Sequence, residues 1–191
     1  FCFLIGSIYF CEANSSYLIN KNNMMKVKKL SGKVQDAQQI PTLFDHENIM
    51  YYPINIVNWK EYPYQPQVSF RIAYTNDAIL VHYKVVEDSV RAKYGEDNGS
   101  VWTDSCVEFF SIPARDGVYY NLECNCIATI LLAAGSERSN REMAPLEITD
   151  QVKRWASLGR ETFEEKIGEC TWEVALQIPY KVFFKHTKIG R

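Results

Sequence analysis

Glu108 and Glu123 lie in two apolar segments, CVEFFSI and VYYNLECNCIATILLA, joined across the turn residues Asp116-Gly117. Two carboxylates on neighbouring strands are the residue types of glycoside hydrolysis, if burial raises the pKa of one and a sugar's width separates them. Held in place without that asymmetry, they are ordinary hydrogen-bond acceptors. In the second segment a period of two puts Asn121, Glu123 and Asn125 on one face and Cys124 and Cys126 on the other. That face is a row of hydrogen-bonding groups, either solvated or lining a groove. Trp102 precedes Glu108 by six residues, the same parity on a regular strand. An indole beside carboxylates and amides suits a sugar, whose CH face stacks on the ring while its hydroxyls bond to the polar groups. Read from pattern alone, Trp102 is equally the half-buried entrance of a strand.

Other chemistries find less support. The three histidines (His46, His82, His186) occur in no HExxH or similar motif, and no GxSxG or glycine-rich phosphate loop is present. The loop Gly95–Gly99 contains Glu96 and Asp97, and with nearby Asp104 it is rich in the oxygen donors that calcium takes. The run lacks EF-hand spacing, and a solvated turn accounts for it as well. The cysteines form no metal or redox spacing, so buried free thiols are expected. With 21 basic and 23 acidic residues the chain carries a formal charge of −2, which excludes the basic footprint of a nucleic-acid binder.

The elements that must position these residues are short strands. VSFRIAYT and AILVHYKVVE alternate in period two around Asn76-Asp77 and predict a hairpin. CVEFFSI, VYYNLECN with a second hairpin behind it, and TWEVALQIPY add further strands. INIVNW reads as a strand ending at Trp59, and Lys26–Leu30 as an entry strand. EITDQVKRW is a helix or an irregular strand, PYKVFF a helical turn, and Pro41 breaks any long helix over DAQQIPTLFDHENI. Alternating strands without a sustained amphipathic helix predict an all-β, antiparallel β-sandwich of jelly-roll or immunoglobulin-like type. Residues 1–23 are set apart from the sandwich at 24–191, as a signal-peptide remnant or as upstream sequence. The first reading implies a periplasmic or extracellular protein, and a start at Met24 or Met25 implies a cytoplasmic one. The apolar opening is too short for a membrane span.

NWKEYPYQPQVSFRIAY, VRAKYG, VWTDSCVEFF, YYNLECNCIATILLAAGSERSNRE and TWEVALQIP together resemble the family 9 carbohydrate-binding modules, in their stand-alone Bacteroides-type branch. The resemblance covers roughly Lys26 to the end. It implies a non-catalytic β-sandwich that binds oligo- or polysaccharide during glycan utilisation, with no cofactor required for binding and with structural calcium. By position, Trp102 would be one wall of a sugar clamp and Glu108 a sugar ligand. Cys106 adds one residue to the family's Asp-Ser-Val-Glu pattern. The family's arginine and glutamine on the next strand fall at Glu123 and Asn121, so the polar face is kept and its charge changed. Arg138 and Arg141 are further candidates from the adjoining loop. The family's second clamp wall and closing strand lie beyond Arg191, so the sandwich is expected to lack its last strand. A glycosidase using Glu108 and Glu123, and a ligand-free interaction sandwich, remain as alternatives.

Overall fold

The computed structural model describes residues 9–11, 17–20, 23–57, 61 and 63–186. Two antiparallel hairpin sets dominate. β6 (Gln67–Tyr74) and β7 (Ala78–Ala92) pair through the predicted turn, with Arg71 opposite His82 and Ile72 opposite Val81. β13 (Phe163–Pro179) pairs with the other side of β7, and β12 (Lys153–Ala156) with β13. Short pieces close the far edge on β6: β4 (Lys28–Lys29) runs parallel to it, and β5 (Tyr52–Ile54) antiparallel. The second sheet has four strands in the order β11 (Glu142–Met143), β10 (Ile130–Gly135), β9 (Tyr119–Asn125), β8 (Cys106–Ser111). Near the N-terminus, β1 (Tyr9–Cys11), β2 (Tyr17–Asn20) and β3 (Asn23–Lys26) form a small antiparallel sheet, and β1 approaches β8.

Strict alternation explains why the two large sheets stack. Val81, Tyr83 and Val85 of β7, and Trp172, Val174 and Leu176 of β13, meet Val107, Phe109, Tyr120, Leu122, Cys124 and Leu132 of the other sheet in one core. Burial of these side chains drives the association, at roughly 1.5–3 kcal/mol each. Tyr83 spans the core and donates its hydroxyl to the backbone carbonyl of Glu108 at 3.2 Å. The fold is the all-β sandwich expected. Cys106, Cys124 and Cys126 are buried free thiols, as the spacing suggested.

On its opposite face the six-stranded sheet is covered by α1 (Ile40–His46), whose Ile40 and Phe44 pack on Ala73, Leu80 and Ala175. Pro41 sits in the first turn of α1, where its missing N–H costs nothing, so the helix forms but stays short. Beneath it His82 is fully buried. His82 Nδ1 accepts from Arg71 Nε (3.2 Å) and Nη2 (2.9 Å), and Nε2–H donates to Glu173 Oε2 (2.9 Å). Arg71 continues to Asp45 of α1 at 2.5 Å.

Two expectations need correction. The strand read into INIVNW lies earlier, at Tyr52–Ile54, and its end at Trp59 falls outside the described residues. EITDQVKRW is both things in turn: the helical turn α2 (Leu146–Thr149), then β12. The strand expected over TWEVALQIPY is present as the second half of β13, which begins earlier, at Phe163. Its first half is exposed on both sides, and its register with β7 slips between Phe163 and Lys166 and again between Ile167 and Cys170. Among the described residues no helix is long and apolar enough to cross a membrane.

Candidate functional site

The outward face of the four-stranded sheet carries the polar row. Since Val107 and Phe109 point into the core, Glu108 and Phe110 point out. The same logic turns Tyr119, Asn121, Glu123 and Asn125 outward from β9, and Leu131, Ala133 and Gly135 from β10. Glu108 stands directly opposite Glu123 in the register, and Phe110 opposite Asn121. The register thereby sets two carboxyl side chains side by side, both of them buried.

Two turns frame this row. Val101 opens a 3-10 turn, Val101–Thr103, and is fully buried against Leu131 and Ala133, the β10 partners of Glu123 and Asn121. Its burial holds the next residue, Trp102, at the border of the polar row with 40% of its surface exposed. Trp102 thus reaches this face from a turn rather than from a regular strand, because β8 begins only at Cys106. The second turn, Arg138–Asn140, folds tightly over Gly135. A Cβ there would come within 2.9 Å of Arg141 Cα and Asn140 Oδ1. The glycine admits the turn that carries Arg138 and Arg141 to the other end of the row.

Asn121 and Glu123 form the centre. They are 2% and 5% exposed. Asn121 Nδ2 donates to Glu123 Oε1 at 2.7 Å, while Asn121 Oδ1 and Glu123 Oε2 have no hydrogen-bond partner among the described residues. Burial, then the charge of Glu108, pushes the Glu123 carboxyl up to about 7, against the opposing pull of Asn121 and of the Arg141 and Arg138 charges. Unpartnered buried acceptors cost on the order of 1–3 kcal/mol each, and a bound group is one source of the missing donors.

Asn125 does not join them. Although on the same face, it is fully buried and its hydrogen bonds are all internal. Nδ2 donates to the Tyr94 carbonyl (2.8 Å) and Asp104 Oδ2 (3.1 Å), and Oδ1 accepts from the amides of Thr129 (2.9 Å) and Ile127 (3.3 Å). It shapes the β9–β10 turn, in which Ala128 takes a positive φ of 59°, and is a structural residue instead of a sugar ligand.

The oxygen-rich loop is likewise occupied with the fold. Asp97 takes a two-pronged ion pair from Arg154 (2.6 and 2.7 Å) and the amide of Ile130 (3.1 Å). Asp104 accepts from the amides of Lys93 and Tyr94, both at 3.0 Å, and pairs with Arg91 at 3.4 Å. Glu96, Asp97 and Asp104 are not gathered round a common point, and no group of three or more His, Cys, Asp or Glu among the described residues could hold a metal ion. These three carboxylates therefore do not fit a calcium ion.

Sequence reasoning missed Phe110 and Tyr119. Their rings lie 6.1 Å apart on the same outward face, half-buried, at the end of the row away from Trp102. The signal was available, since each is two residues from a polar member of that face.

The pattern of carbohydrate-binding family 9 matches residues 38–190. This chain belongs to that family. It is also similar to the crystal structure of a candidate carbohydrate-binding protein from Bacteroides uniformis, with 48% identity and a TM-score of 0.82 over 85% of this chain and 75% of that one. Among curated proteins no match is found.

Proposed function

We propose that the outward face of the four-stranded sheet binds oligo- or polysaccharide without catalysis. Family membership supports saccharide binding as such. What carries the assignment to this face is the pair of buried acceptors without partners, Asn121 Oδ1 and Glu123 Oε2, beside an exposed indole. Trp102 stacks on a sugar ring, and Asn121 and Glu123 take its donors, with the Glu108 carboxylate alongside. Arg138 and Arg141 supply donors from the neighbouring turn.

A glycosidase fits this geometry less well. Cross-strand partners have Cβ atoms only ~4.5–5.5 Å apart and project in one direction. Hydrolysis requires carboxyls that flank the scissile bond, whereas Glu108 and Glu123 approach a ligand from one side.

Titrating xylo-, cello- and host-glycan oligosaccharides into the protein should change its Trp emission. Trp102→Ala should remove the response and leave the unfolding free energy within about 1 kcal/mol, as expected of an exposed side chain. A panel that leaves both emission and calorimetric heat unchanged would sink this reading.

A further inference from the structure

Most arginines of this chain hold a partner. Arg71 pairs with Asp45, Arg91 with Asp104 and Arg154 with Asp97, while Arg160 donates to the carbonyls of Ile127 and Ala128. Arg115 is engaged as well. Arg138 and Arg141 differ: neither guanidinium makes a hydrogen bond or ion pair with a described residue. The carboxylates beside them in the chain are taken, since Glu137 accepts the Asn140 amide of its own turn and Glu142 pairs with Lys185.

Both arginines belong to the outward face. Their charges act on Glu123, and the turn that carries them folds over Gly135, the β10 partner of Tyr119. Two residues earlier on β10, about 7 Å at strand spacing, Ala133 packs against Val101, which sets Trp102. Arg138 is exposed, Arg141 half-buried and Trp102 40% exposed, whereas Glu108, Asn121 and Glu123 are sealed at 2–5%. The groups a ligand meets first are therefore an indole and two open guanidinium forks, with the carboxyls set beneath them.

Each fork presents five N–H donors and no acceptor. A neutral hydroxyl uses few of them. A carboxylate accepts two parallel N–H bonds from one guanidinium and brings the counter-charge that the turn lacks. We infer that the saccharide preferred by this face is acidic, with a uronic carboxylate held by Arg138 and Arg141 while a neighbouring ring stacks on Trp102. The inference rests on the saccharide-binding reading above and names its ligand class.

Isothermal titration of the full chain should compare oligogalacturonate and glucuronoxylan fragments with the same oligomers after methyl esterification, which keeps every ring and removes the charge. A sulfated neutral oligomer makes a third arm. In at least one uronate series the free acid should bind about tenfold tighter than its ester, or better. Arg138→Gln combined with Arg141→Gln should bring that ratio within about twofold, whatever it does to either affinity alone. Should the double variant fail to fold, Arg138→Gln at its exposed position should lower the ratio by itself. Equal affinities for acid and ester throughout, an advantage that survives the substitutions, or a preference confined to the sulfated oligomer overturns the uronate assignment and leaves saccharide binding standing. Binding of none of these, nor of any neutral oligosaccharide, overturns both.

Discussion

Asn121 and Asn125 are two residues apart on one face of β9, and their partners separate their roles. Asn125 satisfies a carbonyl, a carboxylate and two turn amides from four different positions. Asn125→Ala takes this partner from the Tyr94 carbonyl and from the amides of Ile127 and Thr129, and should cost about 2–4 kcal/mol. Asn121→Ala breaks one hydrogen bond, to Glu123, and should cost clearly less while weakening saccharide binding. Urea unfolding of the two variants, read beside saccharide titration of Asn121→Ala, checks the difference. Period two was enough to place both amides, with Glu123, on one face. It could not tell a ligand from a strut, because the groups that occupy Asn125 come from residues 94, 104, 127 and 129 and meet it only in the folded chain.

Among the elements, the turn Arg138–Asn140 depends most directly on one residue. Its backbone lies where a side chain at position 135 would be, and neither Arg141 Cα nor the Asn140 carbonyl can move without moving the turn. Gly135→Ala should therefore destabilise the protein by about 1–3 kcal/mol, as overpacking does, and weaken saccharide affinity by displacing Arg138 and Arg141. Thermal melts paired with saccharide titrations test both halves, and unchanged affinity in a folded variant would contradict the placement of the turn. The hairpin β6–β7 was legible, because alternation on both sides of Asn76-Asp77 leaves a single register that buries both apolar faces. The setting of Trp102 was not. Parity assumed a strand running back from Glu108, whereas burial of Val101 and capture of Asp104 by the amides of Lys93 and Tyr94 hold residues 101–104 as a turn.

At the scale of the molecule, pH acts through charges sealed between layers. Burial, and then the neighbouring Arg71 charge, lower His82 to about 4 from an ordinary 6.5. Between those values the unfolded chain binds a proton that the folded one refuses. The contribution is thus complete above about 6.5 and is lost as pH falls towards 4. Glu87, which accepts from the indole of Trp172 at 2.5 Å, is raised chiefly by burial, as is Glu123, and both act in the opposite sense. The comparison must therefore be between slopes. His82→Leu should flatten the rise of the urea midpoint with pH across that window relative to the unsubstituted protein, even though losing the partners of Arg71 and Glu173 lowers stability throughout. A rise of equal steepness in both proteins would exclude His82 as its source.

The exposed first half of β13 also matters for encounters between copies of the chain. β12 flanks β13 only along Val174–Gln177, and Ser157 bonds the backbone of Glu173, which leaves residues 163–172 with no strand on that edge among the described residues. An open edge is a template on which a foreign strand can extend a sheet. Here a newcomer would meet Glu164, Glu165, Lys166 and Glu169 in quick succession. It would also have to match a strand whose register breaks twice, with Gly168 at a positive φ of 126° inside the second break. The ribbon thus guards its own edge: charge and irregular spacing refuse the partner that its hydrogen-bonding groups would otherwise invite.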